Sequence, residues 1–264
     1  MVDENEIVWL VKKDAVADMI KNGKRSDGRK AYEYRPIEII TDYVKRAEGS
    51  AYIKLGNTQI LVGVKMDVGQ PYSDSPNMGT LITNAELVPL ASPVFQPGPP
   101  NENAIELARV VDRGIRESKM IDFEKLCITE GEEVWNVLID IHVLDFDGNL
   151  IDAATLAAVK ALWTAKMPRY EDGKVIYEDK KDSLPVSKKP VACTFARFGN
   201  VSILDPSLEE EKSMDGKITI TTTDDGKICA VQKSGITKIS VPELENLIDV
   251  ALEKGNEIRK TYLG

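Results

Sequence analysis

Residues 132–148, EEVWNVLIDIHVLDFDG, alternate between apolar and polar, so that Trp135, Val137, Ile139, Ile141 and Val143 fall on one face of an extended chain. An Asp-Gly pair closes the run, which reads as a central strand ending in a tight turn. Directly after it, DAATLAAVKALWTAK (152–166) takes up a helical pattern whose many alanines permit close packing on a sheet. One strand followed by one helix packed on it is a βα unit. That places the chain in the α/β (α+β) class.

Upstream, SAYIKLGNTQILVGVKM (50–66) carries β-branched and aromatic residues on both sides of Gly56-Asn57 and predicts a hairpin. Between Gly69 and Pro100 the chain is rich in Pro, Gly, Ser and Asn, with a short apolar stretch at Leu87–Leu90 that predicts a strand between two loops. At the start, Ile7, Leu10, Val11, Met19 and Ile20 recur at helical intervals before Asn22-Gly23, and RSDGR (25–29) reads as a turn.

Downstream, residues 168–190 are charged and contain proline, which suits a hairpin and linker between two halves. ITITTT (218–223) and KICAVQK (227–233) then alternate as strands, and a helix is expected from about Pro242 to Tyr262. The organisation expected is an N-terminal helix and arm (1–30), a first domain (31–167), the hairpin and linker (168–190) and a smaller second domain (191–264).

The 264 residues carry a formal net charge of −9, with 42% hydrophobic residues. A sequence pI near 4.9 argues against a protein that coats nucleic acid over its whole surface, so any polyanion must meet a local patch. The cysteines, Cys127, Cys193 and Cys229, are far apart and odd in number, which favours free thiols in a cytoplasmic protein over disulfides or a zinc site. No stretch is apolar enough for a secretory signal or a membrane span, and no membrane partner is expected.

Catalytic constellations are scarce. The single histidine, His142, lies within the alternating strand and reads as structural. Neither of the common glycine-rich phosphate-binding motifs occurs. Asp145, Asp147 and Asn149 resemble the start of a calcium loop, but the glycine comes too early and no glutamate follows at the needed interval; no metal site is expected.

Within this acidic chain, ARVVDRGIR (108–116) places three arginines in nine positions. A helix beginning after Pro99-Pro100, with Asn101 as its N-cap, puts Arg109, Arg113 and Arg116 on one stripe and Ala104, Ala108, Val111 and Ile115 roughly opposite. Such a ridge suits phosphates. Equally, Glu106 precedes Arg109 by three residues and Asp112 precedes Arg116 by four, spacings that allow ordinary intrahelical ion pairs.

Taken in order, RSDGR (25–29), GNTQILVGV (56–64), PGPPNENAIELARVVDRGIRES (97–118), VLDFDGNLIDAATLAAVKAL (143–162) and LDPSLEEE…MDGKITI (204–220) resemble the RNase PH family. Within that family the sequence is similar to the non-catalytic RNase PH-like subunit of the archaeal exosome core. The resemblance implies an RNase PH-like fold, with a ribosomal protein S5 domain 2-like lobe followed by a smaller α/β lobe, and assembly into a ring of six. Active members shorten RNA from its 3′ end by phosphorolysis, which needs cations around the phosphates and a carboxylate to move a proton or hold a metal.

Active relatives bind the attacking phosphate with the arginine of a G-T-R triplet. Alignment through the Asp-Gly and Ala-Ala pairs puts Asn149, Leu150 and Ile151 there, and Ile151 cannot bind phosphate. Their catalytic aspartate lies in D-M-P-V-A, for which KKPVA (188–192) puts Lys188 in the acid's place; DSLPV (182–186) offers a competing match with Asp182 nearby. The resemblance therefore implies no catalytic residue, no metal and no cofactor, inorganic phosphate being a co-substrate of an active partner. The implied partners are an active RNase PH-like exosome subunit in an alternating trimer of heterodimers, RNA-binding cap subunits and single-stranded RNA, held by Arg109, Arg113 and Arg116. An active exoribonuclease using Asp182, or a scaffold whose arginines only form ion pairs, are the alternatives.

Overall fold

Alternation from Val134 to Val143 buries Val134, Trp135, Val137, Ile139, Ile141 and Val143 in a strand at the heart of the first lobe. The computed structural model describes residues 4–264, with side chains from residue 12 onward except that of Lys181. In chain order the elements are α1 (Glu4–Lys21), β1 (Ile37–Thr41), β2 (Gly49–Leu55), β3 (Thr58–Gly69), β4 (Thr80–Leu87) and α2 (Glu102–Glu117). A 3-10 turn at Phe123–Leu126 leads to β5 (Cys127–Thr129), β6 (Glu133–Asp145), α3 (Leu150–Thr164), β7 (Lys166–Glu171) and β8 (Lys174–Ser183). The chain ends with β9 (Val191–Phe198), β10 (Val201–Leu204), α4 (Leu208–Ser213), β11 (Gly216–Thr222), β12 (Ile228–Gly235) and α5 (Val241–Tyr262).

The first sheet runs β1-β2-β3-β6-β4, with β5 also paired to β6. Only β4 runs parallel to its neighbour, β6; α2 lies on the crossover between them, as a parallel connection requires. The hairpin expected at 50–66 is β2 and β3, turned in two residues with Gly56 at φ +58, a conformation that fits strand twist at little cost to glycine. The strand expected at Leu87–Leu90 instead spans Thr80–Leu87, because that segment extends the sheet beside β6 while Val88 onward forms turns. Helix α3 starts two residues earlier than its sequence pattern, at Leu150, since Asn149 takes the left-handed conformation that turns the chain out of β6.

The second sheet, β10-β9-β11-β12, lies across α2 and α3 from the first. Thr219 and Thr194 bond each other on the side facing Asp152 of α3, and Gly114 of α2 packs on Thr221. On the opposite side, Cys193 and Thr222 meet Ala251 and Gly255 of α5. The layers are thus sheet, helix pair, sheet, helix, and one continuous apolar core runs through both lobes. The hairpin β7–β8 packs back on the first lobe: Tyr170 donates to Glu133, and Lys180 pairs with Glu48.

Helix α1 ends at Asn22-Gly23 as its sequence pattern indicates, and Val16 and Ile20 pack on Ala196, Phe198 and Ile203. The side chains of Ile7, Leu10 and Val11 lie outside the described residues.

Candidate functional site

Helix α2 begins where the prolines end. Asn101 caps it, its side chain accepting from the Ala104 amide at 3.0 Å. Ala104, Ala108, Val111 and Ile115 are buried against the first sheet and α3, so the helix cannot rotate and Arg109, Arg113 and Arg116 are held on the solvent side. The three arginines are individually different. Arg116 is locked by Asp112, donating from Nε at 3.1 Å and from a terminal nitrogen at 3.2 Å, and also donates to the Leu81 carbonyl at 3.1 Å. Arg113 donates to Gln232 of β12 at 3.1 Å. Arg109 has no hydrogen-bond or ion-pair partner among the described residues; of the two intrahelical pairs that the spacing allows, only Asp112–Arg116 forms.

Two shallow cavities border the stripe. One of about 400 Å³ lies between Arg109, Arg113, Ile105 and Gln232, and one of about 250 Å³ between Arg109, Arg113, Arg116 and Thr83. Exposed guanidinium groups beside open grooves are suited to phosphate oxygens, which they can meet with paired N–H donors.

A separate cavity of about 310 Å³ lies at the N-terminus of α3, between Ile151, Asn149, Phe95, Phe146, Lys212 and Lys217. Ile151 is 5% exposed and contributes an aliphatic wall. The cationic groups here are Lys212 and Lys217, and Lys217 is engaged by Glu211 at 3.3 Å. These residues were not singled out from the sequence. Their only signal was the LDPSLEEE…MDGKITI segment, which gives no hint of a cavity wall.

Lys188 is not among the walls of that cavity. It sits in the β8–β9 connection and pairs with Asp225 at 3.3 Å, so its equivalence to a catalytic acid rests on sequence alignment alone. Asp182 is exposed on β8, opposite Met167 of the hairpin, and likewise is not part of the cavity. His142 faces solvent on β6 with Nδ1 3.3 Å from Glu86, a surface pair. Asp147 serves Arg35 and Asn57, and among the described residues no group of three or more His, Cys, Asp or Glu is placed to hold a metal ion.

Behind the cavity lies a buried polar network that connects the RSDGR turn to both lobes. Arg25 pairs with Glu210 at 2.6 Å, while Arg29 and Arg35 both reach Asp205. Asn149 donates to Asp205 at 2.7 Å and to Asp152 at 2.9 Å, and Asp152 also accepts from Tyr34 and Thr194. Burial pushes the Asp152 carboxyl up to about 6, against the pull of its hydrogen bonds from Asn149, Thr194 and Tyr34.

That shift has a definite sign. The folded value lies above the ordinary carboxylate value near 4, so the native state holds this proton more tightly than the unfolded chain. The stability it contributes is complete below about pH 4 and is lost as pH rises through about 6. The gap in unfolding free energy between the wild-type chain and Asp152→Asn should therefore narrow by about 2–3 kcal/mol from pH 4 to pH 7. Urea titrations across that range measure it, and a constant gap would contradict the assignment.

The 3′ exoribonuclease family model matches residues 33–168 with its domain 1 and residues 189–254 with its domain 2. The chain is 53% identical over 266 aligned residues to the exosome complex component Rrp42 of Pyrococcus abyssi, covering 99% of this chain and 97% of that protein. It is 49% identical over 257 residues to the Rrp42 of Methanothermobacter thermautotrophicus, covering 96% and 95%. Among solved structures it is similar to a chain of the Archaeoglobus fulgidus exosome with RNA bound to the active site, with a TM-score of 0.90 and 48% identity over 97% of this chain and 99% of that one. A chain of an archaeal exosome core superposes with a TM-score of 0.88 at 44% identity, covering 98% and 99%. No helix among the described residues is long and apolar enough to cross a membrane.

Proposed function

Because this chain belongs to the 3′ exoribonuclease (RNase PH) family, we propose that it works as a non-catalytic subunit of an archaeal exosome ring and helps hold the RNA that the ring degrades. In that ring it alternates with an active RNase PH-like partner as a trimer of heterodimers, under RNA-binding cap subunits. Three unpaired thiols are in keeping with work in the cytoplasm. The partner performs phosphorolysis, with inorganic phosphate as its co-substrate, and this chain needs no cofactor of its own.

The observation that carries the reading is the arginine stripe: a helix pinned by its apolar face presents Arg109, Arg113 and Arg116 beside open cavities, with Arg109 unneutralised. A single-stranded RNA laid along it exchanges its counterions for guanidinium groups, and no base is read. Such a grip is indifferent to sequence, as suits a degradative machine. The non-catalytic part of the reading is supported by Ile151: an aliphatic wall stands where active relatives carry the arginine for the attacking phosphate.

The test is made on the assembled ring. Arg109→Ala with Arg113→Ala should weaken binding of a single-stranded RNA about tenfold or more and flatten the dependence of log affinity on log salt by about 1.4, at ~0.7 per lost phosphate contact. Phosphorolysis should appear with the partner present and be absent for this chain alone. An unchanged affinity and salt slope would remove the stripe from the RNA path. It would favour a scaffold whose charges only pair internally, a reading that the locked Asp112–Arg116 pair supports. Phosphate-dependent release of nucleoside diphosphates by the isolated chain would make it an enzyme.

A further inference from the structure

Strand β12 is the edge of the second sheet, and it reaches the arginine helix α2 at two places. Cys229, displaced by a β-bulge opposite Thr221 and Thr222, brings its Sγ to 3.8 Å from the Gly114 carbonyl, and Gln232 accepts from Arg113 at 3.1 Å. We propose that Gln232 is a positioning residue for the RNA: its Oε1 holds the Arg113 guanidinium, and its Nε2 donates to the backbone phosphate that Arg113 meets. The inference rests on the RNA-binding reading of the stripe and adds to it a neutral group from the second lobe.

Packing holds the strand at this height. Val110 and Gly114 of α2 are buried, and a Cβ at Gly114 would already stand 3.4 Å from the Thr221 side chain of the neighbouring β11, so the second sheet lies close on the helix. Along β12, Ala230, Gln232 and Ser234 are half-buried, in alternation with the exposed Val231 and Lys233. An arginine only donates, so the oxygen of the Gln232 amide must face it, which leaves the Nε2 hydrogens for another acceptor. Nε2 has no partner among the described residues, and Gln232 walls the cavity of about 400 Å³ that it shares with Arg109 and Arg113.

A neutral holder differs in kind from a charged one. Arg116 is held by the Asp112 carboxylate, which offsets its charge, whereas Arg113 is held by an amide, which fixes the guanidinium and leaves its whole charge for a phosphate. The Nε2 group then supplies a further donor without a further charge. Glu102 and Glu106 wall the same cavity from the first turns of α2, and their carboxylates repel a phosphate there. The polyanion is thereby confined to the end shared by Arg109, Arg113 and Gln232. Contacts of this kind fix where the backbone lies and read no sequence.

A neutral contact releases no counterion, so salt separates it from an arginine contact. With the assembled ring and an oligouridylate, Gln232→Leu should weaken binding about five- to tenfold and leave the slope of log affinity against log salt unchanged. Gln232→Glu keeps an acceptor for Arg113 but brings a carboxylate; it should weaken binding further and flatten the slope by about 0.7, the share of one phosphate contact. In an Arg113→Ala ring, Gln232→Leu should cost less than about twofold, because the phosphate is no longer brought to the amide. Equal losses from Gln232→Leu with and without Arg113, or no loss in either, would overturn the assignment. A Gln232→Leu ring that fails to assemble would make the residue a subunit contact and overturn it as well. If Arg109→Ala with Arg113→Ala loses affinity while Gln232→Leu does not, the stripe stands and this inference alone falls; if the double arginine variant is silent too, the RNA path lies elsewhere.

Discussion

Replacing Asp205 with alanine should destabilise the folded chain by about 3–5 kcal/mol, the usual consequence of stripping one partner from a buried ion pair. Asp205 is fully buried and accepts from the Arg35 amide and Nε at 2.9 Å each, from an Arg35 terminal nitrogen at 2.7 Å, from Arg29 at 2.9 Å and from Asn149 at 2.7 Å. Burial alone would push its carboxyl up, but the hydrogen bonds and charge of Arg35 outweigh that and hold it below the ordinary carboxylate range. Without it, two buried guanidinium groups lose their main counter-charge. Urea unfolding of the purified chain measures the loss, which should appear as a fall of about 10 °C in melting temperature for a chain of this size. Asp205→Asn, which keeps the shape and loses the charge, should fall between. A loss under about 1 kcal/mol would show that water reaches the network.

The second large effect is steric. A Cβ at Gly49 would sit 2.2 Å from the Ala161 carbonyl oxygen and 2.9 Å from both Cα and Cβ of Ala165, all three at the contact between β2 and α3. None of these atoms can swing aside. Gly49→Ala should therefore force strand and helix apart at a cost of about 3 kcal/mol, at the upper end of overpacking penalties. Gly63 on β3 is the natural control: a Cβ there meets nothing within 4 Å, and Gly63→Ala should melt within a degree or two of the wild type. Equal melting of the two variants would mean that β2 can shift away from α3 without loss.

What could be read from the sequence divides along the range of the interactions. Strand β6, the β2–β3 hairpin, α3 and the capped arginine helix depend on neighbours a few residues away, through alternation, a Gly-Asn turn and an Asn cap, and each was legible. Strand β4 was displaced because its TLITNAEL segment alternates poorly and is extended by pairing with β6, some fifty residues further on. RSDGR forms the turn its sequence indicates, the Gly28 amide donating to the Arg25 carbonyl, but Arg25 is buried against Glu210 and Arg29 half-buried against Asp205, and nothing local in the motif announces partners so distant.

The site shows the same division. The arginine stripe follows from helical spacing alone, whereas which of its two possible intrahelical pairs forms does not: Asp112 pairs with Arg116, while Glu106 shares a cavity wall with Arg109 without pairing with it. Lys188 was assigned by a three-residue match, Pro-Val-Ala, that carries no information about distance. In the fold it is set beside Asp225, while Lys212 and Lys217 approach Ile151 from α4 and β11.

The placement of α3 between the two sheets has a consequence for how the chain is made. Eleven of its residues, from Ile151 to Leu162, are buried, some against β2 and β3 and others against β9. During synthesis the first sheet and α3 emerge together, but β9, which covers the helix's other face, ends about 34 residues after α3, at Phe198. At ~5–20 residues per second, a nascent chain carries an alanine-rich apolar face uncovered for roughly 2–7 s. Small side chains suit that interval, since they offer a chaperone or a second nascent chain far less to hold than leucines would.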